Sequence, residues 1–131
     1  MNKLLEFSST KKRELINISR EIEKITNKSN LKQGTCLVFT PHTTAAILIN
    51  EDESGFKADM EKLIETWIPE GDWQHNHVDG NATAHLASSL IGQSRTIPII
   101  SGDLQLGTWQ QIFLVELDGP RRNRKVVVQV N

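Results

Sequence analysis

Short apolar runs, each broken after a few residues by polar or turn-forming ones, constrain this chain more than any other feature. The longest uninterrupted runs cover residues 45–49 and 112–115, far below the roughly 20 residues that a membrane-crossing helix needs. Strand-like alternation or short bounded runs fall at residues 4–8, 14–18, 34–40, 44–50, 95–100, 110–117 and 125–130. Helical spacing appears in three places. Ile22 and Ile25 set a narrow stripe over residues 20–28, with Ser19 as cap and Glu21 and Glu23 complementing the dipole of the first turn. Phe56, Met60, Leu63, Ile64 and Trp67 mark a helix over 54–67, stopped by Pro69 and Gly71. Asn81 caps a shorter helix over 82–90, closed by Gly92. Strands and short helices interleaved without a βαβ repeat predict an α+β fold with mainly antiparallel sheets and two to three short helices.

At 131 residues the chain fits one compact domain, residues 1–131, and holds no linker that would divide it. A net charge of −1 excludes a generally basic nucleic-acid binder, with Arg121-Arg122-Asn123-Arg124-Lys125 as the one local basic run. A single cysteine, Cys36, excludes an intramolecular disulfide and a cysteine-rich zinc site. The opening residues scatter charge and lack the apolar core of a signal peptide, so the expected setting is the cytoplasm, with neither membrane nor nucleic acid as partner.

All four histidines fall between residues 42 and 85. His42 ends a strand inside Thr40-Pro41-His42-Thr43-Thr44, His75 and His77 occupy the polar loop 68–80, and His85 sits four residues after Asn81 on the short helix. Residues four apart share a helical face. Imidazole titrates near neutrality and ligates transition metals, so His42, His75 and His85 around one open position would suit a catalytic divalent metal. His77 reads better as a surface residue. Among the carboxylates, Asp52 and Glu53 suit the start of the 54–67 helix, whereas Glu51 stays open; Glu116 and Asp118 read as β-edge charges. In Asp118-Gly119-Pro120-Arg121, a stiff turn fixes the direction of Arg121, which favours bidentate binding of a phosphate or carboxylate. The rest of the basic run reads as a solvated charge cluster, and Trp109 reads as core filling.

Four blocks now join in one order: Thr40-Pro41-His42-Thr43-Thr44-Ala45-Ala46-Ile47 with Asn50-Glu51, then Asn81-Ala82-Thr83-Ala84-His85-Leu86, Gly107-Thr108-Trp109-Gln110, and Asp118-Gly119-Pro120-Arg121. Together they resemble the YjbQ-like family, from about Phe7 to Val130. The resemblance implies a compact α+β domain assembled as a homotrimer, with β-sheets around the three-fold axis. It also implies a weak, secondary thiamine-phosphate synthase activity. That transferase joins a hydroxymethylpyrimidine diphosphate to a thiazole phosphate and releases pyrophosphate, so its partner is a small phosphorylated substrate. Carried over, the catalytic set is His42, His85 and Glu51. Thr43, Thr44, Asn50, Asn81 and Arg121 would hold phosphate, and His42, His75 and His85 would hold a divalent ion, zinc or magnesium. Members often carry tyrosine two positions before the loop histidine, where this chain has Trp73, which donates only through its indole N–H. Two other readings fit the residues: a metal-dependent hydrolase of a phosphorylated metabolite, and a non-catalytic trimeric module that binds an anionic metabolite.

Overall fold

Alternating burial along the C-terminal strand shows how the sheets are built. From Arg124 to Val130 every second residue is buried, so one face of this strand meets the core and the other does not. By contrast, the strand before it is buried at every position from Ile112 to Glu116, because it is covered on both faces. The computed structural model describes residues 1–131. Its elements are β1 (Asn2–Phe7), β2 (Glu14–Asn17), α1 (Ser19–Ser29), β3 (Gln33–Phe39), β4 (Ala45–Glu51), α2 (Ser54–Trp67), α3 (Ala82–Ile91), β5 (Ser94–Ile100), β6 (Asp103–Leu104), β7 (Gln110–Glu116) and β8 (Arg124–Val130).

The strands form two antiparallel sheets, one in the order β1-β8-β3-β5-β6 and one in the order β2-β7-β4. Their facing sides share a core that includes Val38, Ile47, Ile97, Ile112, Leu114 and Val128, and α1 adds Ile22 and Ile25 to it. The far side of the three-stranded sheet packs Ala46, Phe113 and Val115 against Ile64 of α2 and Ala84 and Ala87 of α3. This gives the α+β fold with antiparallel sheets that the alternation predicts, and no helix is long and apolar enough to cross a membrane.

Several local expectations change. Ser19 is the first residue of α1 and not its cap: its hydroxyl accepts the Ile112 N–H at 2.7 Å, which ties the helix to β7. Asn81 occupies the position before α3, but its side chain makes no capping bond and is used elsewhere. Glu53 does cap α2, accepting the N–H groups of Gly55 and Phe56. The stripe of α2 is only partly covered, for Ile64 is buried while Trp67 is 72% exposed. The two-residue strand β6 is too short to carry a sequence pattern.

One ion pair links the sheets. Glu116 ends β7, Arg124 begins β8, and both are buried, at 0% and 2% exposure. The Arg124 Nη2 lies 2.5 Å from Glu116 Oε2 and donates also to Thr44 Oγ1 at 2.9 Å. Ser9 donates to Glu116 Oε1 at 2.6 Å, and the N–H groups of Leu117 and Asp118 donate to Oε2. Burial pushes the Glu116 carboxyl up, but the hydrogen bonds from Arg124, Ser9 and Asp118 outweigh it and hold the group below the ordinary carboxylate range. Removing one partner strands a buried charge. Arg124→Met alone should therefore cost about 3–5 kcal/mol in urea unfolding at neutral pH, and Glu116→Leu with Arg124→Met should recover part of that loss.

Candidate functional site at the β7–β8 connection

The chain between β7 and β8 is held from beneath before it presents any side chain. Ser9 N donates to Arg121 O at 2.8 Å, and Ser9 Oγ accepts the Arg121 N–H at 2.8 Å. Gly119 N donates to Lys12 O at 2.9 Å. A side chain at Gly119 would strike the Lys11 carbonyl oxygen, so only glycine permits this approach. On that support Arg121 folds back: Nε donates to Asp118 O at 3.1 Å and Nη2 to Asp118 Oδ2 at 3.0 Å. Its other amino nitrogen, Nη1, has no partner in the chain.

Asp118 also anchors the histidines. Asn81 Nδ2 donates to Asp118 Oδ2 at 2.9 Å, and Asn81 Oδ1 faces His75 Nε2 at 3.0 Å. An ionised carboxylate only accepts, so the amide nitrogen must face Asp118 and the amide oxygen must face His75. His75 Nε2 is therefore a donor, and Nδ1 carries the lone pair of the neutral ring. The His85 ring, on α3, lies 4.3 Å from the His75 ring, centroid to centroid, at 59°. A short 3-10 turn, Gln74–His77, brings His75 inward and leaves His77 exposed beside Asp72. This turn separates two histidines that an extended loop would have kept on one face. Trp73 keeps a packing role, and its indole N–H donates to Pro69 O at 2.8 Å.

His42 stands apart from that pair. Its Nε2 accepts the backbone N–H of Lys125 at 2.9 Å. Burial lowers its pKa below the ordinary histidine value; Arg124, Arg121 and Lys125 push the same way, while Glu116 opposes. The neutral ring thus carries its proton on Nδ1. The expected metal triad of His42, His75 and His85 is corrected here, because no three His, Cys, Asp or Glu side chains are arranged to hold an ion. The lone pair of His42 Nε2 is already spent on Lys125.

The other expected residues divide. Asn81 and Arg121 join the site, and Thr43 is exposed beside His42. Thr44 is buried and its hydroxyl is committed to Arg124, so it cannot bind phosphate. Asn50 and Glu51 lie at the far end of β4, paired with Gln111 and Gln110, whereas Ala45 at the near end pairs with Glu116. Five and six strand steps put them about 17 and about 20 Å from the histidine end, so neither is near His42 within one chain. Glu116 and Arg124 are the residues that sequence reasoning missed: one passed for an edge charge, the other for part of a solvated run. The alternation that places Val126, Val128 and Val130 inward also places Arg124 inward, and that was the available signal.

Comparison with known proteins follows the same outline. The family model described as UPF0047 protein YjbQ-like matches residues 3–131. A UPF0047 protein of Methanothermobacter thermautotrophicus is 42% identical over 127 residues, covering 96% of this chain and 88% of its own. YugU of Bacillus subtilis, also a UPF0047 protein, is 40% identical over 125 residues, 92% of each chain. A crystal structure from Sulfolobus solfataricus, described as a YbjQ-like protein of unknown function, superposes with a TM-score of 0.98 at 41% identity, covering 99% of this chain and 95% of its own. The thiamine-phosphate synthase expectation is corrected by these findings: the relatives are described only by family or as of unknown function, and nothing in them supports that reaction. What the match over nearly the full length does show is that this chain belongs to the YjbQ-like UPF0047 family.

Proposed function

We propose that this chain is an acid–base enzyme acting on a small phosphorylated compound at the β7–β8 connection. The observation that carries the reading is the hydrogen-bonded line Asp118–Asn81–His75, which ends against His85. It fixes the ring of His75 and leaves Nδ1 as the proton acceptor, the arrangement a general base needs. Beside it, the Arg121 guanidinium is anchored by two bonds and keeps Nη1 for an anionic oxygen. An arginine already immobilised loses little entropy when it binds phosphate. The chemistry this supports is transfer of a proton to His75 or His85 from a substrate held through its phosphate by Arg121.

A homotrimer is part of the same reading. Leu4, Val127 and Phe39 lie opposite one another across β1, β8 and β3, on the face turned away from the core. Leu4 is 56% and Phe39 38% exposed. An apolar row of this kind on an uncovered sheet favours burial against another copy. In multi-angle light scattering the chain should run at three times its 14.8 kDa mass, and Phe39→Glu should release single chains.

Two outcomes test the site. Inorganic phosphate and a panel of phosphorylated metabolites should raise the melting temperature of the native chain, and Arg121→Gln should abolish that rise. A converted compound, followed by product analysis, should lose turnover in His75→Ala with binding retained; stabilisation without conversion of any compound would sink the enzymatic reading. His42 supplies a pH test. Its folded pKa is depressed, so its contribution to stability is present above the unfolded value, about 6.5, and fades as pH falls through the folded value. The melting temperature should therefore drop as pH falls from about 6.5 towards the folded value, and His42→Asn should flatten the slope. A ring titrating at or above the ordinary value in proton NMR would contradict the assignment.

A further inference from the structure

We infer that Thr83 positions the histidine line through one internal water, which it holds against the second carboxylate oxygen of Asp118. The inference deepens the proposed site and rests on it for the role of His75, although the water site stands on separate observations. The first is a hydroxyl without a partner. Each of the three α-helices contains one threonine, and a helical threonine can donate to the carbonyl three or four residues back. Thr26 does so to Ile22 O at 3.0 Å, and Thr66 to Lys62 O at 2.8 Å. Thr83 is the second residue of α3, so the carbonyls it would use belong to Asp79 and Gly80, before the helix begins. Gly80, at φ +72°, turns the chain there. The hydroxyl finds neither carbonyl. Thr83 is 2% exposed, and its Oγ1 is the one buried side-chain polar atom of the chain without a hydrogen bond. Buried polar groups are nearly always paired, with protein or with ordered water.

The second observation is a small cavity that Thr83 and Asp118 both line, together with Asn81 and Gly80. Its volume is about 40 Å³. One water needs roughly 10–15 Å³, whereas a cavity that admits a benzene ring has about 150 Å³. This one therefore takes water and no ordinary metabolite. Lys12 and Arg13 on its wall are balanced by Glu70 and Asp118, which favours an ion of neither sign. Asp118 has capacity to spare on this side. Its Oδ2 accepts from Asn81 and Arg121, and its backbone oxygen accepts from Arg121. Oδ1 has no partner in the chain.

A water meets both needs at once, donating to Asp118 Oδ1 and accepting from the Thr83 hydroxyl. A carboxylate held at one oxygen turns about its Cβ–Cγ bond. Held at both, it keeps its plane, and Oδ2 stays between Asn81 and Arg121. Asn81 then cannot turn its amide, and Nε2 of His75 keeps the proton. Thr83 touches no substrate and acts through Asp118 and Asn81, as a positioning residue.

A crystal structure of the native protein at atomic resolution tests the bridge without any variant. A water within hydrogen-bond distance of both Thr83 Oγ1 and Asp118 Oδ1 is expected, and a cavity holding no such water would overturn the inference. Nitrogen NMR of the histidine rings tests the consequence, at a pH where His75 is neutral. The native protein should show His75 in the Nε2–H form alone. Thr83→Val keeps the shape and removes the hydroxyl, and should bring in the Nδ1–H form as a second population; Thr83→Ser should restore the single form. An unchanged His75 in Thr83→Val, or the same mixture in Thr83→Ser, would refute the positioning role. Both readouts are taken without phosphate. A confirmed bridge in a protein that neither binds nor converts any phosphorylated compound would thus remove the proposed function alone, and turnover without the bridge would remove only the inference.

Discussion

The buried pair of Glu116 and Arg124 is the interaction on which the rest of this structure depends. It lies where β7 leaves one sheet and β8 enters the other, and both groups are out of water. A buried ion pair is stable only when its remaining hydrogen-bonding capacity is met. Here Glu116 accepts from Ser9, Leu117, Asp118 and Arg124, while Arg124 reaches Thr44. The pair is therefore less a source of net stability than a device that specifies geometry. It fixes the last residue of β7 and the first residue of β8, and hence the span and direction of the connection between them.

That connection carries the functional groups. Asp118 begins two residues after Glu116, and Lys125 follows Arg124 directly. The first orients Asn81, His75 and Arg121; the second donates its N–H to His42. Both histidine environments are thus referred to the same buried pair, although His42 is not in the same cluster as His75 and His85. The two environments are tuned in different ways. Asp118 enforces, through an amide, which nitrogen of His75 carries a proton. His42 is kept neutral by burial, by nearby cations and by a backbone donor that needs its lone pair.

Much of the fold was legible because its signals are local. The helix at 54–67 and the strands near 34–40, 44–50 and 125–130 follow from spacing and from flanking Gly, Pro and Asn, and the observed elements agree to within a residue. The site was legible in its members and not in its arrangement. Asn81, His75, His85 and Arg121 were identifiable as polar residues in constrained contexts, but their connection through Asp118 is a long-range contact that no pattern encodes. Glu51 was misplaced for a related reason. It lies near His42 in sequence, yet an extended strand separates residues by about 3.3 Å at each step, and the strand between them keeps them apart.

Arg124 shows why a charge run is hard to read. Arg121, Arg122, Arg124 and Lys125 look alike in the sequence, but the strand period sorts them once β8 begins. With Val126, Val128 and Val130 inward, Arg124 must point inward as well, and Lys125 must point out. An inward arginine requires an inward acid, and the antiparallel return of the chain supplies Glu116. The same alternation leaves Lys125 exposed with its backbone N–H turned to His42. One short basic segment thereby divides its labour between holding the sheets together, setting a histidine, and presenting charge to solvent, and it is the pleat of a strand that assigns each residue its part.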